Sequence, residues 1–570
     1  MMTASLKLLP YGISSFEDLR RDNYYYVDKT RFIKKIEDIG LKYTFFVRPR
    51  RFGKTLFSTT LQAYYDKAAS PKYESLFKDT FIYHHPSKNQ GAYYVLRLVF
   101  SEISTDNVTV GFSNKLRDGF SGFFNRYPIE GAQKFLGKDF SDPANFFNAF
   151  CNLVQGTTGN NLFIIIDEYD QFANTVLAND PEEFRRITSR DGFLKNFYSA
   201  IKNRADEGLV QRVFITGVTS ISLDSMTSGF SIARDITQNP HFADLAGFTN
   251  GELSELIAYF TDNKIINTSP TEIQLRMKDY YNGYLFSPFS TTSVFNSSMC
   301  LYYLSELSQT GHEPLTLLDK AVGTDLAKIS NILKLGDTAF VRSCVRQLAE
   351  EKTIDFGGFS DSINLNQKNL FSNDDVLSVL FYLGYLTYSS SDPSQLVCPN
   401  KAVKSQFLSY LLKFIDDIDF NPSVFQVRKA MSSLRRGDIM PLLSLISEKL
   451  TTGTSLHALT HFNESNIQTA LKMTVSLTTD YTVDMETEVA GIGYIDLFIH
   501  PVEGTGVPYL LELKYIKKAD LSEKTVKKAC DAATKQLLIY STSGKFAKIH
   551  NLRKLGIVFV GTSFHSLVEC

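Results

Sequence analysis

The sequence predicts an α/β protein with a parallel sheet near the N-terminus, a helical middle region and a smaller α/β region near the C-terminus. Three apolar, β-rich segments, 43–47, 161–167 and 212–218, alternate with helical segments, for example around 143–155 and 182–206. Such continuous apolar runs are typical of parallel strands buried on both faces. Helical spacing then dominates to about 470, and strand patterns return from about 475, which favours separate α/β units joined by helices.

Composition limits the classes of protein to which the chain can belong. At 570 residues it is too long for one hydrophobic core and indicates roughly three to four domains. Lysine plus arginine (60) balances aspartate plus glutamate (61), so any attraction to nucleic acid must come from local patches. Six cysteines without a C-x-x-C pair argue against a zinc site, and no segment approaches the roughly 18 apolar residues of a membrane span. We therefore expect a soluble, intracellular, cytoplasmic protein without a membrane partner.

A phosphate-binding loop is predicted between the first strand and the following helix. The segment FFVRPRRFGKTLFSTTL (45–61) places Gly53, Lys54 and Thr55 where an apolar helical pattern begins. The unpaired N–H groups and positive dipole end of a helix favour an anion there. Lys54 would reach the β- and γ-phosphates of ATP, and the Thr55 hydroxyl would bind Mg²⁺. The full pattern G-x-x-x-x-G-K-[ST] asks for glycine where the chain has Arg48, so a basic surface turn is the alternative interpretation.

Two further strands end in polar residues that a nucleotide site requires. Asp167, at the tip of a buried strand, would complete the Mg²⁺ shell, and Glu168 would polarise the attacking water. Thr216, at the end of the next strand, would sense the γ-phosphate. Paired acids at a sheet edge also occur by chance. In this order and on these elements, however, they favour nucleotide binding followed by hydrolysis.

The middle region is predicted to be helical with one hairpin. A helix follows Thr249, which is a good N-cap residue. Two short strands are predicted around the turn Asp392-Pro393-Ser394, within 385–400. A helix followed by such a hairpin is the outline of a winged-helix unit.

A second cluster of charged residues is predicted near the C-terminus. Asp496 lies in one strand, and the period of two places Glu512 and Lys514 on one face of the next. If these strands pair, Asp496 and Glu512 converge on a hard-oxygen site suited to Mg²⁺ or Mn²⁺, with Glu488 as a further ligand. Lys514 would position a water or stabilise charge on a scissile phosphate. The alternative is an exposed strand face that carries a cross-strand ion pair.

The helix predicted at roughly 522–540 carries further candidates. Gln536 and Tyr540 are four residues apart and therefore share a helix face. Seven lysines in this part of the chain would contact a phosphate backbone: Lys514, Lys517, Lys518, Lys524, Lys527, Lys528 and Lys535. Because nearby acidic residues dilute this charge, an ordinary solvated helix face is an equal alternative.

The N-terminal motifs resemble a known ATPase family. LPYGISSFEDLRRDNYYYVDKTRFI, FFVRPRRFGKTL, IDEYD, TGVTSISLDSMTSGFSIARDIT, FADLAGFTNGEL and YYNGYLF are similar to segments of the AAA-ATPase-like proteins that commonly carry a C-terminal PD-(D/E)xK nuclease domain. Those proteins also use R-P-R-R-F-G-K-[ST], so Arg48 is the family's own variant. The resemblance implies Lys54 and Thr55 at phosphate and Mg²⁺, and Asp167 with Glu168 as the Mg²⁺ and water pair. The other predicted cofactor-binding residues are Arg51, Phe52, Gly53, Leu56 and Thr216, and Arg234 is a candidate for the transition-state arginine.

The C-terminal motifs resemble the PD-(D/E)xK nucleases. Asp496, Glu512 and Lys514 match the D…(D/E)-x-K centre, and the glutamine–tyrosine pair of the helix matches a Q-x-x-x-Y element found in several branches. The resemblance implies a restriction-endonuclease-like α/β domain. The chain departs from the pattern at Tyr494, where related domains often have arginine, and this puts unchanged substrate contacts in doubt.

Taken together, these patterns predict four parts: an AAA-like P-loop ATPase core at 1–250, a helical lid at 251–315, a helical, winged-helix-like region at 316–470 and a nuclease-like domain at 471–570. The predicted function is ATP binding and hydrolysis coupled to Mg²⁺-dependent cleavage of nucleic acid, with DNA the expected partner and oligomerisation compatible with the motifs. One alternative is a nucleotide-dependent switch or scaffold whose C-terminal domain binds nucleic acid or protein without cutting. Another is a degenerate ATPase that retains ADP as a structural ligand.

Overall fold

The chain divides into two compact units in a computed structural model. The described residues are 6–103, 107–189, 191–220, 229–314, 334, 336–349, 353–359, 371–410, 418–478, 480–489, 493–501, 506–541 and 546–570. The first unit comprises 1–312, 327–341 and 353–399, and the second comprises 313–326, 342–352 and 400–570. Part of the predicted sensor segment, 221–228, and the predicted boundary near 315 lie outside the described residues.

The first unit is built on a five-stranded parallel sheet of order β2-β3-β4-β1-β5. The strands are β1 (Tyr43–Val47), β2 (Tyr94–Val99), β3 (Leu162–Asp167), β4 (Val210–Gly217) and β5 (Arg234–Asp235). The three predicted strands are confirmed as β1, β3 and β4, and β3 is buried along its whole length. Only β4 therefore lies between β1, which leads into the predicted loop, and β3, which ends at Asp167.

Helices pack around this sheet. The α-helices described before residue 312 are Phe16–Arg21, Arg31–Asp38, Lys54–Tyr65, Tyr73–Phe77, Phe81–His84, Val108–Arg126, Ala132–Leu136, Pro143–Thr158, Gln171–Asn179, Pro181–Thr188, Phe193–Asp206, Asn250–Asp262, Pro270–Tyr281 and Ser297–Thr310. The predicted helix 182–206 is two helices, which corrects the prediction. A β-carbon on Gly192, the N-cap of the second helix, would collide with the Ile187 carbonyl, so the chain turns there in a way that requires glycine.

The middle region contributes a small sheet to the first unit. Strands β6 (Ile354–Asp355), β7 (Thr387–Tyr388) and β8 (Gln395–Val397) form an antiparallel sheet of order β6-β8-β7. The helix Asn373–Tyr382 precedes the β7–β8 hairpin. This is the predicted winged-helix-like order, and the hairpin turns at the predicted residues, where Asp392 Oδ1 accepts from the Ser394 N–H at 2.9 Å.

The second unit contains a mixed five-stranded sheet of order β13-β12-β11-β10-β9. Its strands are β9 (Tyr481–Val489), β10 (Gly493–Pro501), β11 (Tyr509–Ile516), β12 (Arg553–Val560) and β13 (Ser563–Glu569). Only the β11–β12 pair is parallel, and the helix Glu523–Ser541 provides the crossover that such a pair needs. The remaining described α-helices are Thr338–Ala349, Lys401–Tyr410, Val424–Arg435, Met440–Gly453 and Glu464–Ser476.

The predicted α/β fold class is confirmed, with a parallel sheet in the first unit and a mixed sheet in the second. Among the helices that the structure describes, none combines the length and apolar character required to cross a membrane.

Candidate functional site

The loop after β1 forms part of the wall of a deep cavity in the first unit. The helix Lys54–Tyr65 starts directly after Gly53, whose φ of 92° lies in the left-handed region that favours glycine. All six predicted loop residues, 51–56, line a cavity of about 580 Å³. Tyr25, Tyr26 and Lys29 of the N-terminal segment line the same cavity. The cavity therefore combines a helix N-terminus with aromatic and cationic side chains, a chemistry suited to a nucleotide.

Arg48 does not line the cavity and instead holds the loop against neighbouring segments of the chain. Its side chain is buried and donates to the carbonyl oxygens of Thr237 at 2.6 Å and Phe242 at 3.2 Å. The guanidinium lies between the rings of Phe46 and Phe286, at 4.6 and 4.4 Å from their centroids. Burial lowers the pKa of Arg48 to about 9. Arginine at the loop entrance thus fastens the loop to neighbouring segments, a role that glycine could not fill.

Lys54 and Asp167 lie near enough for their charges to interact, although only Lys54 lines the cavity. Lys54 Nζ donates to the Pro49 carbonyl at 2.9 Å, and burial lowers its pKa to about 8 although Asp167 opposes this shift. Asp167 is buried, and its Oδ2 accepts from Arg97 Nη2 at 3.0 Å and from Ser58 Oγ at 3.3 Å. Asp167 Oδ1 has no hydrogen-bond partner within the described residues. A buried, unpartnered carboxylate oxygen is a suitable ligand for Mg²⁺.

Of the three remaining predicted residues of this site, Glu168 lines the cavity, whereas Thr216 and Arg234 do not. Glu168 lines the cavity with a φ of 54°, and burial followed by the charge of Asp167 raises its pKa. Thr216 is fully buried, its Oγ1 has no partner among the described residues, and it does not line the cavity. Arg234 lies on the exposed strand β5 and does not line the cavity either.

The second cluster lies on adjacent strands of the second unit. The β10–β11 register pairs Leu497 with Leu511, and continuing it by one residue places Asp496 opposite Glu512. Lys514 Nζ lies 2.7 Å from Glu512 Oε1, as expected for two side chains on one strand face. The three predicted side chains therefore converge on one face of the sheet.

Burial concentrates negative charge in this cluster. Glu512 is 2% exposed, and burial together with the charge of Asp496 raises its pKa to about 7. Its Oε2 has no hydrogen-bond partner in the described part of the chain. Burial opposes ionisation of Lys514, yet its hydrogen bond to Glu512 and the surrounding carboxylates raise the pKa of Lys514 overall. The cluster therefore places two carboxyl groups, Asp496 and Glu512, beside the ammonium of Lys514.

Two residues of this cluster, both on the helix Glu464–Ser476, were missed by sequence reasoning. Gln468 Nε2 donates to Asp496 Oδ1 at 3.0 Å, while the Leu513 N–H donates to Asp496 Oδ2 at 2.7 Å. Glu464 lies one helical turn before Gln468, and burial followed by the charge of Asp496 raises the pKa of Glu464. The E-x-x-x-Q spacing puts both on one helix face, but nothing in the sequence shows that this face covers Asp496.

The donor set fits a divalent cation without forming a ready-made cage. No three His, Cys, Asp or Glu side chains are grouped tightly enough to hold a metal within the described residues. Glu512 Oε2, which has no hydrogen-bond partner among the described residues, the carboxylate of Asp496 and the half-buried Glu464 nevertheless supply hard oxygen donors. Glu488 pairs with Tyr494 in the β9–β10 ladder, and its side chain lies outside the described part of the chain.

The two residues predicted to share a helix face, Gln536 and Tyr540, lie on the side of the helix Glu523–Ser541 that faces the core of the second unit. Tyr540 is buried in a cluster with Ile495 and Phe498, and Gln536 is half-buried. The Tyr540 hydroxyl lies so close to Gly493 that an added β-carbon would be 2.9 Å away. Tyr540 therefore packs against the start of β10, the strand that carries Asp496.

Comparisons with known proteins agree with this arrangement. A family model described as a predicted AAA-ATPase matches residues 10–227, and a model of the PD-(D/E)XK nuclease superfamily matches residues 462–567. A curated relative, an uncharacterized protein in the vnfD 5′ region of Azotobacter chroococcum mcd 1, is 29% identical over 302 residues, covering 51% of this chain and 52% of the relative. The match thus spans about half of that relative's length. A solved Walker-type ATPase of Pyrococcus abyssi is similar at 11% identity and a TM-score of 0.40, covering 68% of this chain and 97% of that one.

The loop residues 51–56 and Glu168 lie within the first match, other residues of the cavity wall at 245–301 lie beyond it, and the β10–β11 carboxylates lie within the second match. The chain joins a domain of the predicted AAA-ATPase family to a C-terminal domain of the PD-(D/E)XK nuclease superfamily.

Proposed function

We propose that the chain hydrolyses ATP in its first unit and cleaves phosphodiester bonds of nucleic acid, with Mg²⁺, in its second. One observation carries this proposal. Each site holds a deeply buried carboxylate with one oxygen left without a hydrogen-bond partner among the described residues, Asp167 Oδ1 in the first and Glu512 Oε2 in the second. An unsatisfied buried carboxylate oxygen is costly, and a bound divalent cation removes that cost.

In the ATPase half, the proposed roles fall on residues that line the cavity and on Asp167, which does not line it but precedes Glu168 of the cavity wall. The N–H groups at the start of the helix Lys54–Tyr65 and the Lys54 ammonium bind the phosphates, and the Thr55 hydroxyl and Asp167 hold Mg²⁺. Glu168, whose raised pKa suits a proton acceptor, orients the attacking water. We also propose that the Thr216 hydroxyl senses the γ-phosphate: it is buried at the end of β4 and has no hydrogen-bond partner among the described residues, although it does not line the cavity.

In the nuclease half, Asp496 and Glu512 would hold the cation, and Glu464 would join them from the covering helix. The bound cation would supply Lewis-acid activation of the scissile phosphate and its attacking water. Lys514 would stabilise the negative charge that develops on that phosphate. Gln468 and the Leu513 N–H fix both oxygens of Asp496, so that this carboxylate is oriented before a ligand arrives.

Nucleic acid, with DNA the proposed substrate, would be bound by the lysines near the nuclease-like centre. The predicted lysines other than Lys514 are exposed: Lys517, Lys518, Lys524, Lys527, Lys528 and Lys535. On the helix Glu523–Ser541, Lys524 and Lys528 are four residues apart and share a face. Exposed lysines at this spacing can contact successive phosphates without reading sequence.

The remaining parts of the proposal concern organisation. We propose the division into parts at 1–250, 251–315, 316–470 and 471–570, with nucleotide binding changing the helical lid and thereby access of substrate to the nuclease. We also propose an intracellular site of action, for which the six free cysteines are the support. Oligomerisation through the ATPase half is compatible with this scheme.

The test is cleavage and ATP hydrolysis by the purified full chain with Mg²⁺ or Mn²⁺. Lys54→Ala should abolish ATP hydrolysis and leave the metal site of the second unit intact, whereas Asp496→Ala should abolish cutting. Asp531→Asn, an exposed acid on the helix Glu523–Ser541, is a matched control that should cut normally. If single- and double-stranded DNA and RNA all remain uncut with and without ATP, the nuclease half of the proposal is wrong.

A second candidate function is a nucleotide-dependent switch or scaffold that binds nucleic acid or protein without cutting. It is favoured by the absence, in the described residues, of three metal-binding side chains already grouped around a cation position. The two candidates differ in one measurement. Mn²⁺ bound at the Asp496 cluster supports the nuclease, whereas nucleic-acid binding without any metal binding there supports the scaffold.

A further inference from the structure

A second cavity in the first unit belongs to neither proposed site. It has a volume of about 340 Å³ and lies between the edge strand β2 and the helix Val108–Arg126. Its charged lining consists of Arg97, Lys115 and Arg126 with one carboxylate, Asp118. We call this cavity the basic trough.

Lys115 is the cation of the basic trough that takes part in no ion pair within the part of the chain that is described. Arg126 is paired with Asp66 at 2.9 Å, and Arg97 is paired with Asp167 at 3.0 Å. Arg97 Nε is buried and has no hydrogen-bond partner among the described residues. A concave site with spare cationic donors favours an anion, because the cavity walls exclude water that would otherwise screen the charge.

The basic trough is connected to the nucleotide cavity through one side chain. Arg97 lines the trough, yet its Nη2 donates to Asp167 Oδ2 at 3.0 Å. Ser101, just after β2, lines both cavities. The Arg97 guanidinium therefore lines the trough and is also hydrogen-bonded to Asp167, the carboxylate proposed to bind Mg²⁺.

We propose that the basic trough binds a small phosphate-bearing anion and that Arg97 couples its occupancy to Asp167. Two guanidinium groups and an ammonium match the several oxygens of a phosphate group, which planar arginine donors bind in pairs. An anion in the trough competes with Asp167 for Arg97. When Arg97 turns to the anion, Asp167 Oδ2 keeps only its hydrogen bond from Ser58 and its charge is no longer paired, so Asp167 binds Mg²⁺ more readily and the trough is an effector site for the ATPase half.

The experiment measures pyrophosphate binding by calorimetry without divalent metal. It uses the full-length Lys54→Ala variant, in which the phosphate-binding loop no longer competes for the probe. We expect binding at one site, weakened at least about tenfold by adding Lys115→Glu, the size of effect expected when a hydrogen bond to a charged group is lost. Lys134→Glu, an exposed lysine outside the trough, is the matched control and should leave binding unchanged. Each variant is first shown to unfold at the temperature of its Lys54→Ala parent.

Coupling is tested in the same background. Asp167→Asn removes the competing carboxylate, so pyrophosphate should bind several-fold more tightly, by the reciprocity of linked equilibria. Glu168→Gln removes the charge next to Asp167 in sequence, which forms no hydrogen bond with Arg97 among the described residues, and should change the affinity less. Absence of binding, binding that survives Lys115→Glu, or equal binding of succinate would overturn the phosphate site. Equal effects of the Asp167 and Glu168 substitutions would overturn the coupling through Arg97. None of these results depends on whether the chain hydrolyses ATP.

Discussion

If the nuclease-like centre binds a divalent cation as proposed, Glu512 should make that binding depend on pH. Its carboxyl must lose a proton to bind a divalent cation, and burial with the charge of Asp496 raises its pKa to about 7. The ionised fraction is then about one tenth at pH 6, one half at pH 7 and nine tenths at pH 8. We therefore expect Mn²⁺ affinity to rise about tenfold from pH 6 to pH 8. In Glu512→Gln the affinity should be lower at every pH and this rise should largely disappear.

The assay is electron paramagnetic resonance titration of free Mn²⁺ without nucleotide. The chain with Glu512 and the Glu512→Gln variant are both measured in the Asp167→Asn background, which removes the carboxylate of the other proposed metal site. Calorimetry at pH 7 in two buffers of different ionisation enthalpy should detect release of about half a proton per metal bound. Affinity that is equal at pH 6 and pH 8, or pH dependence that persists unchanged in Glu512→Gln, would refute the reasoning.

The same pKa determines how stability depends on pH. Because the folded-state pKa of Glu512 lies above its usual value of 4.5, folding favours the neutral carboxyl. Its contribution to the free energy of unfolding is fully present below the usual pKa and is lost as pH rises through about 7. Glu512→Gln stays neutral, so without metal it should become more stable than wild type as pH rises, by at most about 3 kcal/mol at pH 8. Urea unfolding at pH 5 and pH 8 measures this difference, and an equal difference at both values would contradict it.

Three further substitutions test individual contacts. Gln468→Leu removes the amide that holds Asp496 Oδ1 and should lower the metal-dependent cleavage rate by about tenfold or more, measured with ATP hydrolysis as the unaffected control. Gly53→Ala strains a φ of 92° by about 1 to 2 kcal/mol and should weaken ATP binding in a nucleotide titration. The control Gly40→Ala, at a φ of 71° with open space around it and outside the cavity, should cost similar stability without affecting ATP. Arg48→Gly restores the glycine of the common loop pattern, yet it should lower the thermal unfolding temperature because it removes the hydrogen bonds to two buried carbonyls; an unchanged temperature would contradict a supporting role.

Local patterns predicted those elements whose chemistry is contained in a short stretch of chain. The strand, loop and helix around Lys54 could be predicted because strand propensity, the helix start and Gly53 lie within about 20 residues. The placement of Glu512 and Lys514 on one face followed from the period of a β-strand. The hairpin after the helix Asn373–Tyr382 followed from its turn residues.

Residues that act across the fold could not be found in this way. Arg97 interrupts the apolar pattern of β2, and its contact with Asp167 exists only because β2 pairs with β3 across 70 positions of sequence. Gln468 reaches Asp496 from a helix that the sequence shows only as amphipathic. In each case the signal is a polar residue on an ordinary helix or strand face, and such residues are usually exposed to solvent.

The sequence by itself determined the α/β class, the glycine-containing loop that leads into the helix Lys54–Tyr65 and the two carboxylate motifs, because hydrophobic period, backbone conformation and motif spacing are local properties. Tertiary structure decided which side chains surround those motifs: Arg48 behind the loop, Arg97 beside Asp167, and Glu464 with Gln468 over Asp496. It also decided the charge state of these groups, since burial and neighbouring charges, not residue type, raise the pKa of Glu512 to about 7. The physical reason is that desolvation and Coulomb interactions depend on distances between segments that are remote in sequence.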